Sequence, residues 1–371
     1  MSEPLRILQV GPLPPPVGGM GTVIENLQKA LQPACAMRVL NNRKTTASDR
    51  RLYQGVAAQL RLLGRLLREI VSWRPDIVHI HTCSRFTFWR NGVDVALARL
   101  LGRRVVLHVH GAEFASFLDS LAPVRARAAR WIFARCHRVV VLGQEWKRLL
   151  DAWAVPERVV VVPNGVPVEP LREQERDAPF TIVCLANYER RKGQRDLLDA
   201  VAQLRTERPI RVALLGFESE PGQQAALLDQ AARLGVGAQV TIPGPVMGKA
   251  KDAWWRRASC FCLPSYDEGL PMAMLEAMAH GLPVVVTRVG AIPEAVAHDR
   301  EGLLYDAGDI PALAAHLQML LDDPEQARRI GSTGRQRVIE QFSLARSAQL
   351  LLDLYRDLHP SRAVKPNATP S

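Results

Sequence analysis

Strand-length apolar runs alternate with helix-length amphipathic stretches from one end of this chain to the other, in two successive series. That alternation most constrains the fold, because parallel strands joined by crossover helices are the structures it describes. The first series has strands over Arg6–Val10, Met37–Leu40, Asp76–Ile80, Arg104–Val109, Arg138–Leu142 and Val159–Val162. The second has Phe180–Leu185, Arg211–Leu215, Gln239–Ile242, Cys260–Leu263, Pro283–Val286 and a short Gly302–Tyr305. The fold class is α/β, with two doubly wound, Rossmann-like domains. Prolines 163, 167, 170 and 179 interrupt any regular element at the join, which divides the chain into domains over 1–167 and 168–341. After Pro311 the pattern is helical, and a terminal helix over 342–358 is expected to return to the first domain. Residues 359–371 hold three prolines and no apolar periodicity, and read as a disordered tail.

With 371 residues, 47% of them apolar, the chain can bury two cores. No signal peptide is read at the start, and no run of about 18 uncharged apolar residues occurs, so a cytoplasmic protein without a membrane span is expected. Six cysteines are scattered without C-x-x-C spacing, which favours buried reduced thiols over metal ligands. The net charge of +11 lies in the first half: residues 1–170 carry 24 Lys and Arg against 12 Asp and Glu, residues 171–371 carry 24 against 25. Over Gln59–Arg68 and Arg125–Arg135, arginines recur at helical spacing beside Leu, Trp or Phe. Such helices either lie on an anionic bilayer surface or present an ordinary arginine-rich face to solvent.

The run from Asp267 to Val286 reads as a loop, an almost wholly apolar helix over Leu270–His280, and a buried strand. Pro271 suits a first helical turn, and Gly281 with Pro283 stops the helix. Glu276 is the lone carboxylate inside it. An unpaired buried carboxylate costs several kcal/mol or takes up a proton, so Glu276 needs either a structural Arg or Lys, or ligand hydroxyls donating into both its oxygens. Upstream, Glu268, Gly269, Leu270, Pro271 and Met272 place a second carboxylate and free backbone N–H groups at the helix N-terminus, where an anion is favoured.

Ligands of open parallel sheets bind at the carboxyl ends of the strands. The first strand leads into Gly11–Gly21, where Gly18 and Gly19 precede a helix without the G-x-G-x-x-G pattern. His79 and His81 end the third strand, and His108 and His110 end the fourth with His110 at its mouth. His110 is a candidate ligand contact, and the other three are packing or supporting groups. The first loop of the second domain, Ala186–Gly193, puts Arg190, Arg191 and Lys192 before a helix, where cations oppose the dipole. Either a diphosphate sits between them or the loop is simply solvated.

The Glu268-Gly269-Leu270-Pro271 segment with seven residues between Glu268 and Glu276, the Arg191-Lys192-Gly193 loop, Pro163-Asn164-Gly165-Val166, Gly18-Gly19 and His110-Gly111 together resemble the retaining glycosyltransferases of family 4, over nearly the whole chain. The resemblance implies the GT-B architecture, in which two Rossmann-like domains face each other across a cleft. It implies a C-terminal domain binding a nucleoside-diphosphate sugar and an N-terminal domain binding a saccharide acceptor, with transfer of a hexose at retained configuration. By the same resemblance Glu276 holds the ribose hydroxyls, Glu268 the hydroxyls of the transferred sugar, and the backbone N–H groups after Glu268 the phosphates or sugar. Lys192 then stabilises the leaving diphosphate, Gly19 approaches it through its backbone, and His110 contacts the sugar near the reacting carbon. The family usually has an arginine near Asn187; here Arg190 or Arg191 takes that place.

No Asp-x-Asp occurs, so neither a catalytic metal nor any other cofactor is expected. The basic helices and the family's frequent role in cell-surface polysaccharide assembly favour a lipid-linked acceptor, such as a polyprenyl-diphosphate saccharide. The enzyme would then sit peripherally on the inner face of the cell membrane. The rival readings are another GT-B enzyme, an epimerase or phosphorylase, and a basic nucleic-acid-binding protein. The last leaves Glu268 and Glu276 unexplained, and no nucleic-acid partner is expected.

Overall fold

The computed structural model of the chain describes residues 3–14, 18–43, 52–171 and 179–359. Two compact units divide it: Met1–Asn164 with Leu344–Ser371, and Gly165–Ser343. The tail expected from residue 359 lies, from Pro360 onward, outside the described residues.

The first unit runs β1 (Leu5–Gly11), α1 (Gly19–Leu31), β2 (Cys35–Asn41), α2 (Leu52–Trp73), β3 (Ile77–Thr82), α3 (Phe86–Leu100), β4 (Arg104–Val109), α4 (Phe114–Asp119), α5 (Pro123–Arg135), β5 (Arg138–Val141), α6 (Gln144–Asp151) and β6 (Val159–Val161). Its strands form one parallel sheet in the order β2-β1-β3-β4-β5-β6. Strands buried on both faces are continuously apolar, and Ile7, Leu8, Val10, Val78, Ile80, Val105, Val106, Val139 and Val140 are all fully buried. Helix α1 packs against β1 and β2, while α2, α3 and α5 pack side by side, α2 on α3 and α3 on α5. The short α4 was not legible in the sequence, because six residues give no measurable periodicity.

The second unit runs β7 (Phe180–Leu185), α7 (Gln194–Val201), β8 (Ile210–Leu215), α8 (Gln223–Arg233), β9 (Val240–Gly244), α9 (Gly248–Arg257), β10 (Cys260–Leu263), α10 (Met272–Ala279), β11 (Val284–Thr287), α11 (Ile292–Ala295), β12 (Leu303–Tyr305), α12 (Ile310–Asp322) and α13 (Pro324–Gln341). Its parallel sheet has the order β12-β11-β10-β7-β8-β9. Beneath one face Ile182, Leu197, Leu214, Leu227, Leu313 and Leu317 form a core.

The last helix, α14 (Leu344–Leu358), belongs to the first unit and packs beside α1. There the Ser347 hydroxyl donates to the Pro163 carbonyl (2.8 Å), and Arg138 pairs with Asp357. The chain leaves the first unit after Asn164 and re-enters at Leu344, three and two residues from the boundaries drawn at 167 and 342. The crossing segments explain the difference. Val166 bridges to Ser343 and its N–H donates to the Phe342 carbonyl (3.0 Å), which ties both inside the second unit.

Candidate active site

In the second unit β7 and β10 are neighbours although β8 and β9 separate them in sequence. The strand order reverses there, which is where an open α/β sheet opens a crevice for a ligand. The loops after these two strands, 186–193 and 264–271, therefore run side by side. The Tyr266 N–H donates to the Arg191 carbonyl (2.8 Å), and the Arg191 guanidinium donates to the Asp267 carbonyl (3.3 Å) and pairs with Glu189 (2.8 Å).

Two glycines permit this approach. Gly193 has φ +65°, and a Cβ there would lie 2.0 Å from the Pro264 carbonyl oxygen. Gly290, at φ +53°, would place a Cβ 2.0 Å from the Glu268 carbonyl oxygen, and the next N–H, of Ala291, donates to the Gly269 carbonyl (2.9 Å). The Glu268 loop is thus clamped between its neighbours on both sides.

Inside the clamp Lys192 Nζ donates to Glu268 Oε1 at 2.5 Å, with both side chains largely buried. Ser265 Oγ donates to the same oxygen (2.8 Å), and Ser265 is held in turn because the Thr287 hydroxyl donates to its carbonyl (2.6 Å). The helix that follows starts at Met272, later than the expected Leu270. Pro271 precedes it in an extended conformation (φ −72°, ψ 122°) rather than occupying its first turn, and Gly281 at φ +72° follows its end. Among the described residues no side chain caps α10, which leaves its first-turn N–H groups for an anion.

Of the two partners weighed for Glu276, the structure supplies a lysine. Lys251 Nζ, from α9, donates to both carboxylate oxygens at 2.8 Å. Nothing in the sequence pointed to Lys251, because 25 residues and a strand separate the pair. The two arginines of the preceding loop differ: Arg190 is exposed, whereas Arg191 is half-buried against the Glu268 loop. Asn187 offers its carbonyl to the Gln194 side chain (2.8 Å).

The first unit has its own reversal point, between β1 and β3. Gly18 and Gly19 begin α1 there, again without a side-chain cap. Neither has a left-handed φ, and among the described residues a Cβ on either meets nothing within 4 Å. Among the described residues, no packing or conformational need therefore explains two glycines at this position. Gly111 differs, since a Cβ there would press on Ser84 N (3.1 Å) and Cys83 Cα (3.2 Å). This close passage positions His110.

His110 joins His79, His81 and His108 in a stack, with ring centroids 4.4 Å apart for 79 and 81, 5.0 Å for 81 and 110, and 3.9 Å for 108 and 110. His81 Nδ1 and His110 Nε2 share a hydrogen bond of 2.8 Å, His79 Nε2 and His108 Nδ1 one of 3.2 Å, and the Tyr355 hydroxyl of α14 bonds His79 Nδ1. Burial disfavours imidazolium and holds His79 and His110 down at about 3, so the rings are neutral at physiological pH. The cysteines are free, and burial pushes the Cys136 and Cys184 thiols up to about 12, as expected of packing groups.

Two sequence profiles match the chain in tandem: "Glycosyltransferase Family 4" over residues 17–170 and "Glycosyl transferases group 1" over residues 169–337. The chain is 30% identical over 391 aligned positions to the alpha-maltose-1-phosphate synthase of Mycolicibacterium smegmatis, covering 92% of this chain and 96% of that protein. It is 36% identical over 197 residues to the MMP alpha-(1->4)-mannosyltransferase of Mycolicibacterium hassiacum, a match spanning 53% of this chain and about half (47%) of that relative. Among solved structures, sucrose-phosphate synthase from Thermosynechococcus elongatus superposes with a TM-score of 0.80 at 20% identity, covering 96% of this chain and 100% of that one. Anabaena HepE in complex with UDP superposes with a TM-score of 0.76 at 18% identity, covering 95% and 100%. At such identities these structures speak for the fold, which is that of GT-B enzymes.

Proposed function

The chain belongs to the family 4 glycosyltransferases, and from that premise we propose that it transfers a hexose, with retention of anomeric configuration and without a catalytic metal, from a nucleoside-diphosphate sugar to a saccharide acceptor. The observation that carries this reading is the meeting of Lys192 and Glu268, 76 residues apart, at the reversal point of the second sheet beside the uncapped first turn of α10. A cation, a carboxylate and a helix N-terminus are what a sugar diphosphate requires: Lys192 and the backbone N–H groups for the phosphates, Glu268 for sugar hydroxyls. Glu276 takes the ribose hydroxyls, which share or replace the donors that Lys251 provides.

In the transfer, the bond between the anomeric carbon and the diphosphate oxygen breaks, and its electron pair leaves with the diphosphate. The acceptor hydroxyl attacks from the same face, and its proton passes to the departing phosphate oxygen. Charge develops on that oxygen, so fixed cations and N–H groups lower the barrier by electrostatic preorganisation. Calorimetry with UDP, GDP, ADP and their common sugars tests the reading: one nucleotide should bind, and Glu276→Ala should weaken it by about 2 kcal/mol through lost charged hydrogen bonds. Binding of none would sink it. Turnover should be indifferent to added Mg2+ or Mn2+. Product analysis separates transfer from epimerisation, which needs no acceptor, and from phosphorolysis, which consumes phosphate.

The acceptor we propose is lipid-linked, met at the inner face of an anionic membrane. What supports this is the layer of α2, α3 and α5, where exposed Leu60, Val71, Phe86, Leu100, Val124 and Trp131 stand among arginines. Apolar side chains within a basic surface match an anionic bilayer. Among the described residues no helix is long and apolar enough to cross a membrane. Cosedimentation with anionic but not neutral vesicles, weakened by salt, is the expected result; equal recovery from both would argue against it.

A further inference from the structure

We propose that His79, His81 and His108 form a binding site for one divalent ion of the zinc class in the core of the first unit, distinct from the donor site of the second. The three imidazoles each offer a ring nitrogen, and these nitrogens lie within 4.8 Å of one another. A tetrahedral ion with metal–nitrogen bonds of about 2.0–2.1 Å needs nitrogens roughly 3.4 Å apart, and His79 Nε2 and His108 Nδ1 already stand at 3.2 Å. Backbone geometry supplies the convergence. His79 and His81 alternate onto one face of β3, and His108 is the register partner of His81 on β4.

The outer surroundings fit as well. A metal-bound histidine usually bonds an oxygen through its other nitrogen, which fixes the ring, and the Tyr355 hydroxyl does this at His79 Nδ1. His81 gives Nδ1 to His110, so its Nε2 is the nitrogen left for an ion. Among the described residues that Nε2 has no hydrogen-bond partner, nor do His108 Nε2, His110 Nδ1 and both amide atoms of Gln9. Gln9 is fully buried on β1 as the register partner of His79 and so projects from the same face. Unsatisfied buried polar atoms cost about 1–3 kcal/mol each, and so many together mark a place built for something more than these side chains. Neutral imidazoles without a carboxylate suit Zn2+, Cu2+ or Ni2+ and not the oxygen-seeking Mg2+ or Ca2+. An ion on His81 would also fix the tautomer through which His81 meets His110.

The test uses the full, untagged chain, stripped with a chelator and titrated with Zn2+ against a colorimetric competitor, with Co2+ as the spectroscopic probe. One ion per chain is expected. The double variant His79→Gln/His108→Gln should lose at least 100-fold in affinity and Tyr355→Phe about 10–100-fold, whereas a change at His137, which lies outside the cluster and accepts at Nδ1 from the Val105 N–H (2.9 Å), should matter little: His137→Gln should bind as the wild type does. Absence of a stoichiometric ion, or affinity that survives the double variant, overturns the proposal. If the double variant does not fold, the melting temperature decides. Zn2+ must raise it for the wild type and raise it less for Tyr355→Phe at the same concentration, and no rise overturns the proposal.

Discussion

At the residue scale, Glu276 shows what a sequence can and cannot say about a buried charge. That it needs a partner follows from the apolar helix around it; that the partner is Lys251 follows only from the packing of α9 against its neighbours. Removing one member of a largely buried pair leaves the other uncompensated. Lys251→Met should therefore destabilise the protein by about 2–3 kcal/mol in urea denaturation, and adding Glu276→Gln should recover most of the loss. Additive losses would show that the pair is not coupled. Asp94, buried on α3 with neither oxygen hydrogen-bonded among the described residues, has its carboxyl pushed up to about 7 by burial, with Arg90 opposing the shift. Its unfolded value is about 3.9. Between the two the folded state keeps a proton that the unfolded state has lost, so this contribution to stability is full below about 4 and is lost as pH rises through 7. The melting temperature of Asp94→Asn should gain on the wild type from pH 4 to 7 and hold a constant lead above it. A difference independent of pH would refute this.

At the scale of elements, most strands and helices were legible because each carries its own signal, periodicity within and Gly or Pro at its ends. Arg104–Val109, Phe180–Leu185 and Cys260–Leu263 fall at the expected residues. The miss at α10 arose because Pro271 satisfies both a first turn and the extended residue before one, and only the packing of the Glu268 loop selects the second. That loop is held by Gly290, a glycine the sequence did not single out, since its reason is a carbonyl 2.0 Å from where its Cβ would be. Gly290→Ala should cost about 1–3 kcal/mol through overpacking and weaken nucleotide binding more than Gly18→Ala, because it displaces the Glu268–Gly269 backbone and with it the N–H groups that follow. Thermal melts and calorimetry on the two variants check both statements.

At the scale of the whole molecule, α14 completes the first unit after the chain has built the second. It buries Leu351, Leu352, Leu354, Tyr355 and Leu358, each worth about 1.5–3 kcal/mol of apolar burial. Ending the chain after Ser343 should thus unfold the first unit while the second keeps a cooperative melt; protease resistance confined to residues 165–343 is the expected pattern, and an intact first unit would refute it. The sequence by itself determined the two successive series of strand and helix, the parallel sheets, the basic first half and the segment bearing Glu268 and Glu276, because these rest on periodicity, composition and residues close along the chain. Only the tertiary structure decided that Lys192 meets Glu268, that Lys251 meets Glu276 and that four histidines stack against Tyr355. Those contacts join residues that strand order brings together, and strand order is set by the packing of the whole sheet, which no local pattern records.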